Sequence, residues 1–295
     1  MSVSTPHLFC FGLGFTARAL ATAVMAEGWK VTATHRPANG SPAPLVGVSN
    51  MAFDRINPLA SAPGILGDVT HLLSSVPPDG DGDPVIDWHF FDLSRLEKLT
   101  WAGYLSTTGV YGDTGGAWVD ETTPCAPSGD RGAWRVAAEA RWLDLWHGFG
   151  LPVHVFRLAG IYGPGRNPLA QAARGEAKRI VKPGQMFSRI HRDDIVATLR
   201  ASMGRPAPGA IYNVCDDRPA SADEVVTFAC GLLGIAPPPA IPFDDAELSD
   251  MTRSFYVDNR RVRNERIKSD LGVSLAYPNY ELGLRALAAA GEGRD

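Results

Sequence analysis

The residues with the most legible chemistry stand near the start of the chain. Gly12-Leu13-Gly14-Phe15-Thr16-Ala17 is a G-x-G-x-x-A pattern between an apolar run, His7–Phe11, and a segment of helical periodicity. At this spacing the first glycine permits a tight turn. The second lets backbone approach a diphosphate with no Cβ in the way, and the small Ala17 lets helix pack closely on strand. The helix N-terminus then offers unpaired N–H groups and positive potential to the phosphates. Gly12, Gly14, Phe15 and Thr16 are therefore candidate dinucleotide-binding residues. A glycine turn without a ligand is the bland alternative. The succession of strand, glycines, helix and second strand argues against it.

Which dinucleotide is read from the end of the second strand. NAD sites usually carry an acid there, which accepts from the ribose hydroxyls. This chain has Thr34-His35-Arg36 instead. Arg36, with His35 beside it, can pair with a 2′-phosphate that an acid would repel. NADP is thus the expected cofactor and NAD the second choice; an exposed arginine at a strand end is the alternative. Further on, Ser74-Ser75-Val76-Pro77-Pro78 follows another apolar run. In such a fold that turn comes near the nicotinamide, so Ser74 and Ser75 are expected to touch cofactor.

These residues need a parallel sheet to hold them. Apolar runs alternate with helical patterns in the first half, which predicts a Rossmann-type α/β fold, a doubly wound parallel sheet. Strands are expected at His7–Phe11, Lys30–Thr34, Met51–Phe53, Val69–Leu73, Trp101–Ser106 and Val153–Leu158. Helices are expected at Thr16–Glu27, closed by Gly28, and at Arg135–Trp146. Pro77–Pro84 reads as a loop. Later pieces are a helix near Asp193–Met203, a strand at Ile211–Val214, a helix near Ala222–Leu233 and a Pro-rich linker at Pro237–Pro242. Residues 1–160 are read as the dinucleotide-binding core. Residues 161–295 form a smaller C-terminal substrate lobe, with about 190–215 returning to the core.

Composition sets bounds on function. The chain has 295 residues, 45% hydrophobic and 20% charged, with a formal net charge of −4. This is an ordinary globular balance. No basic stripe with aromatic platforms is visible, so nucleic acid is not an expected partner. No apolar segment is long enough to span a bilayer, and no signal peptide is read, so neither membrane nor export is expected. Cys10, Cys125, Cys215 and Cys230 lie far apart, with no metal spacing. A cytoplasmic protein with reduced thiols and no metal follows.

Further segments match one family in order. Tyr104–Asp113, reading YLSTTGVYGD, resembles the Ser/Thr…Val-Tyr-Gly motif of the extended short-chain dehydrogenases/reductases. Phe156-Arg157-Leu158 with Ile161-Tyr162-Gly163-Pro164-Gly165 is similar to that family's Arg-Leu…Tyr-Gly-Pro-Gly segment. Ile190-His191-Arg192-Asp193-Asp194-Ile195 resembles its Ile-His-x-Asp-Asp turn, and Tyr212-Asn213-Val214 its last sheet strand. The resemblance implies a nucleotide-sugar epimerase, dehydratase or reductase scaffold. It also implies a substrate-orienting role for Thr107, whose alternative is a strand-terminating hydroxyl that satisfies local backbone.

The family's chemistry uses a Tyr-x-x-x-Lys pair on one helix face, and here the chain departs. Arg131-Gly132-Ala133-Trp134-Arg135-Val136-Ala137-Ala138-Glu139 aligns with Tyr-Gly-x-x-Lys-x-x-x-Glu. None of the five lysines (30, 98, 178, 182 and 268) has a Tyr four residues before it. Arginine keeps its proton at any working pH, so Arg131 cannot be the general acid/base. Arg135 can still place a positive charge beside the cofactor ribose. Tyr111 is the candidate substitute acid/base; a pocket or structural role is its alternative. A hydrogen-bonded turn is expected for His191, although it and Arg166 could meet an anionic substrate.

Two functions from different classes follow. One is an NADP-dependent oxidoreductase or epimerase-like enzyme acting on a small polar or nucleotide-sugar-like molecule. The other is a non-catalytic NADP-binding sensor or scaffold. Phe187, Phe243, Phe255 and Tyr256 are candidates to line a substrate pocket or to pack the core. A homodimer through helices is compatible with Trp142 and Trp146, as is burial within the chain.

Overall fold

A computed structural model describes residues 5–37 and 44–294. The chain divides into two compact units, each drawn from separate stretches. The first comprises Met1–Thr107, Gly129–Arg157 and Val196–Tyr212; the second comprises Thr108–Ser128, Leu158–Ile195 and Asn213–Asp295. The division is more interleaved than a break near residue 160. Residues 108–128 join the second unit, and Val196–Tyr212 is the stretch that returns to the first.

In chain order the elements are β1 (His7–Phe11), α1 (Phe15–Met25), β2 (Lys30–His35), β3 (Ser49–Ala52), α2 (Ala62–Leu66), β4 (His71–Ser74), α3 (Pro84–Leu93) and β5 (Trp101–Thr107). Then come β6 (Trp118–Val119), α4 (Asp130–Phe149), β7 (Val153–Leu158), β8 (Gly160–Tyr162), α5 (Pro168–Ala173), β9 (Arg179–Val181), β10 (Arg189–His191), α6 (Arg192–Gly204) and β11 (Ile211–Val214). The chain closes with α7 (Ala222–Leu233), β12 (Ala240–Pro242), α8 (Asp250–Phe255), β13 (Arg261–Val262), α9 (Glu265–Ser269) and α10 (Tyr280–Ala289).

Among the described residues one sheet has seven strands, ordered β11-β7-β5-β4-β1-β2-β3. The pairs β1–β2, β1–β4, β2–β3 and β4–β5 are all parallel. Strand order reverses at β1, so the chain winds one way through β2 and β3 and the other way through β4 and β5. This switch point is where an open parallel sheet leaves a crevice beyond its carboxyl ends. Every residue of β1 is buried, as expected where helices cover both faces of a parallel sheet. Phe9, Phe11, Leu72, Tyr104, Trp142 and Val153 anchor the core beneath the crevice. Each such large side chain contributes about 1.5–3 kcal/mol by burial.

Helix ends follow from sequence chemistry. Gly28 has φ +83° and Trp29 N–H donates to Val24 O at 3.2 Å, the Schellman closure that glycine permits. Helix α3 was absent from the sequence reading, although its start is well signalled. Asp83 Oδ1 accepts from Val85 and Ile86 N–H at 2.8 and 3.2 Å, and Pro84 follows it. An aspartate cap followed by proline is a strong helix start; the neighbouring loop composition hid it. Helix α4 is longer than expected at both ends. Its Trp142 is buried, stacks on Tyr104 at 5.5 Å and donates to Asp83 Oδ2 at 3.0 Å. Trp146 lies against Gly209, where an added Cβ would come within 2.6 Å of the indole nitrogen. Packing inside the chain therefore accounts for both tryptophans.

In the second unit, Tyr162, Leu169, Val225, Ala229, Tyr280 and Leu284 form a core from β8, α5, α7 and α10. The Pro-rich segment read as a linker contains β12, which pairs in parallel with β9. Phe187 and Phe243 each pack on Tyr256 with ring centroids 5.1 Å apart, whereas Phe255 is exposed. Cys10, Cys215 and Cys230 are buried free thiols, and burial pushes Cys10 up to about 12. No described helix is long and apolar enough to cross a membrane.

One buried ion pair braces the first unit. Arg157 Nη2 lies 2.8 Å from Glu139 Oε2, and its Nε reaches both carboxylate oxygens at 3.1 and 3.2 Å. Ser106 Oγ donates to Glu139 Oε1 at 2.5 Å. Both charged side chains are only 5% exposed. Removing one partner leaves the other charge buried without its counterion. Glu139→Ala is expected to cost about 3–5 kcal/mol of stability, read as a lower urea midpoint with an unchanged slope. A midpoint equal to that of the unaltered protein would contradict this account.

Candidate dinucleotide site

The site is built at the switch point of the first unit. Gly12 leaves β1 at φ +83°, and a Cβ there would stand 2.8 Å from Ser75 Oγ. Two partners hold the turn from either side. Gly12 N–H donates to Thr34 Oγ1 at 2.8 Å. Ser75 Oγ donates to Gly12 O at 2.9 Å, while Ser75 N–H donates to Phe11 O at 2.9 Å. The ends of β1, β2 and β4 are thus joined through one glycine. The Ser75 hydroxyl, a candidate cofactor contact, holds the glycine turn. Thr34 has the matching role on the other side, which the sequence reading missed.

Gly14 behaves differently. It caps α1 at φ −79°, and an added Cβ would meet nothing within 4 Å. Neither backbone strain nor a neighbouring side chain demands glycine here, so the space it leaves is open. The first turn of α1 carries no acid, and no side chain caps it. Phe15 is half-buried, and Thr16 and Ala17 are buried. Their side chains pack while the helix end keeps its positive potential. This open glycine beside an uncapped helix start fits a diphosphate. Ser74, fully buried at the end of β4, has a hydroxyl with no partner among the described residues.

At the carboxyl end of β2, His35 is half-buried, with its Nδ1 unpartnered among the described residues. Its carbonyl accepts from Phe53 N–H at 2.9 Å. Arg36 follows and is exposed. Contrary to the expectation of no acid near it, Asp54 stands at the end of the adjoining strand. Its Oδ1 accepts from Ile56 N–H, Asn57 N–H and Asn57 Nδ2 at 2.9, 2.8 and 2.8 Å. Burial works against the charge, yet these bonds and the Arg36 guanidinium hold Asp54 below the ordinary carboxylate value. Asp54 is distant from Arg36 in sequence but close through β2–β3 pairing, in which His35 registers with Ala52.

Arg55 is a second residue that spacing did not reveal. Its Nε lies 2.7 Å from Asp79, its Nη1 3.0 Å from Asp87, and its Nη2 donates to Gly82 O at 2.8 Å. It fastens the loop after β4 that leads into α3. On the other side of the sheet, Thr107 ends β5 half-buried. Arg135 on α4 donates through Nη1 to Leu105 O at 2.6 Å and to Tyr104 OH at 3.2 Å. Arg131, one turn earlier, is exposed.

Tyr111 is not a usable acid/base. It belongs to the second unit, is 1% exposed, and donates its hydroxyl to Asn213 Oδ1 at 2.8 Å. Burial also pushes the Tyr104 phenol well above its ordinary value. His191 Nδ1 accepts from Asp193 N–H at 3.2 Å, the turn expected for it.

No protein-family model matches the chain. A solved structure of a conserved protein of unknown function from Silicibacter pomeroyi DSS is 49% identical, with a TM-score of 0.88, covering 98% of this chain and all (100%) of that one. This chain belongs to the same family, within the extended short-chain dehydrogenase/reductase superfamily. Among curated proteins, Protein YeeZ of Escherichia coli (strain K12) is 28% identical over 279 residues, 91% of this chain and 95% of that protein. The dTDP-glucose 4,6-dehydratase of Bacillus anthracis, solved in complex with NAD, shares the fold. Its TM-score is 0.74 at 19% identity, covering 97% and 96% of the two chains. The parallel sheet typical of these proteins is thus present, with a glycine turn after its first strand.

The second unit holds a buried acid that the dinucleotide site does not use. Asp216 is 1% exposed and its Oδ2 has no partner among the described residues. Burial pushes it up to about 8, against the opposing pull of Arg189 and the Arg218 N–H. Its proton is therefore held in the folded state at pH values where the unfolded chain has released it. The associated stability is fully present below about pH 4 and is lost as pH rises through about 8. Asp216→Asn, which cannot ionise, should gain roughly 1–3 kcal/mol relative to the unaltered protein between pH 5 and pH 9. Thermal unfolding of both at the two pH values checks this; parallel pH profiles would refute it.

Proposed function

We propose that the chain binds NADP at the first unit and acts as an oxidoreductase or epimerase-like enzyme on a small polar or nucleotide-sugar-like molecule. The observation that carries this reading is the open Gly14 at the uncapped start of α1, beside the clamped Gly12 turn. The diphosphate would lie against the backbone of Gly12 to Thr16, and Ser74 and Arg135 would face the nicotinamide riboside. The bound nucleotide supplies hydride transfer; the protein supplies position and charge. In this reading the Thr107 hydroxyl would orient a carbonyl. A guanidinium is a poor proton relay, so Arg135 would orient and stabilise substrate by its donors.

The preference for the phosphorylated nucleotide is supported by Arg36 at the end of β2. Asp54 lowers the advantage, because a carboxylate beside Arg36 repels a 2′-phosphate and could accept from a ribose hydroxyl. A guanidinium–phosphate pair is nevertheless stronger than a neutral ribose contact. Titration should show NADPH binding more tightly than NADH. Arg36→Ala should weaken NADPH by about 10- to 100-fold, equivalent to about 1.4–2.8 kcal/mol, and leave NADH nearly unchanged. Tighter binding of NADH by the unaltered protein would reverse the assignment.

A second reading, a sensor or scaffold that binds NADP without turnover, is favoured by Arg131 and Arg135 at the relay positions and by the buried hydroxyl of Tyr111. A screen of carbonyl compounds and nucleotide sugars, following NADPH absorbance, separates the two. Turnover supports the enzyme, and tight binding without turnover supports the sensor. The proposal includes a homodimer through α3 and α4, supported by Trp88, Phe91 and Phe149, exposed by 51%, 69% and 51% on those helices. Phe91→Asp with Phe149→Asp should convert a dimer to a monomer by light scattering; a monomeric unaltered protein would remove this part.

A further inference from the structure

The first turns of α4 place two guanidiniums four residues apart. Residues 131, 135 and 139 share one stripe of the helix. Two of them are pinned to the carboxyl-terminal half of β5: Arg135 through Leu105 O and Tyr104 OH, Glu139 through Ser106 Oγ. Arg135 uses only Nη1 in these bonds, so Nε and Nη2 remain without partners among the described residues. Arg131 has no hydrogen bond or ion pair at all among the described residues, not even with its neighbour Asp130. Several other arginines of this unit are paired: Arg141 with Asp87, Arg200 with Glu27, and Arg55 with two aspartates. Helix α4 connects β5 with its sheet neighbour β7. A crossover helix between parallel strands runs back against them, so its first turns lie toward their carboxyl ends. In an open parallel sheet this is the ligand-binding edge.

We infer that Arg131 and Arg135 form a receptor for an oxyanion, a carboxylate or phosphate group carried by the substrate. The inference rests on the dinucleotide reading of the first unit. Arg135 is the fixed half, oriented by its bonds to β5. Arg131 is the adaptable half, with its full set of donors available. Two cations one helical turn apart repel each other when the site is empty, and a shared anion relieves that repulsion. Planar guanidinium donors match the paired oxygens of carboxylate and phosphate. At the positions aligned with the superfamily's proton-relay pair, this chain therefore holds permanent charge suited to recognition.

The test uses the full chain saturated with NADPH, titrated with inorganic phosphate, malonate and the neutral malonamide by calorimetry and nucleotide fluorescence. Phosphate and malonate should bind, and malonamide should not. Arg131→Gln should weaken both oxyanions by about ten-fold or more while changing NADPH affinity by less than about two-fold; Arg131→Lys should recover part of the loss. Oxyanion binding that is absent from the unaltered protein, or unaffected by Arg131→Gln, overturns the receptor. Failure of NADPH to bind overturns the dinucleotide reading instead. In that case the same titration of nucleotide-free protein decides the receptor, through its dependence on Arg131.

Discussion

The geometry of the dinucleotide site depends on how the chain leaves β1. At Gly12 the backbone takes a positive φ in a space already filled by Ser75 Oγ, and its N–H and carbonyl are both committed, to Thr34 and Ser75. A side chain there would meet two penalties together, left-handed backbone strain and a clash with the hydroxyl that stabilises the turn. The three strands that meet around the switch point are held in relation by these bonds. The start of α1, which no side chain caps, consequently opens at Gly14 onto unfilled space. Preorganisation of this kind costs nothing further when an anion arrives.

Charge is distributed with the same economy in the first unit. The buried pair of Arg157 and Glu139 is shielded and fully bonded, with Ser106 completing it. One and two turns earlier on the same helix stripe, Arg135 and Arg131 progressively emerge toward solvent. A buried ion pair gives little net stability, because desolvation offsets attraction. What it does fix is orientation, and here it seats α4 against β5 so that Arg135 reaches the Leu105 carbonyl. The structural charge and the recognition charges therefore share one helix face. They differ in whether a partner is built into the protein.

Much of this was legible in the sequence because parallel sheets announce themselves by short buried runs. The strands at His7–Phe11, Val153–Leu158 and Ile211–Val214 were readable from apolar content alone, and the glycine spacing located the turn between β1 and α1. Helix α3 was missed since Asp83-Pro84 follows a stretch of Pro, Gly and Asp that reads as loop, and its Phe-rich body lacks clear periodicity. Residues that shape the candidate site escape a local reading for a different reason. Thr34, Asp54 and Arg55 act through partners 22 or more residues away or on an adjoining strand, and no local pattern encodes such pairings. Tyr111 illustrates the converse: its motif survives, but its hydroxyl is consumed by Asn213.

Arg36 and Asp54 leave the adenosine end of the site with a built-in competition. Parallel pairing of β2 with β3 brings an arginine and an aspartate to the same carboxyl edge, where the guanidinium helps to hold the carboxylate's charge. A 2′-phosphate would gain the guanidinium and face the carboxylate. An unphosphorylated ribose would gain the carboxylate and leave the guanidinium to its resident partner. The Asp54 oxygen that accepts three hydrogen bonds is fixed by the Asx turn at Ile56 and Asn57, so the carboxylate cannot swing far. This edge therefore sets the exposed Arg36 guanidinium against an anchored carboxylate, and the proposed preference for the phosphorylated nucleotide rests on the guanidinium–phosphate pair being the stronger of the two.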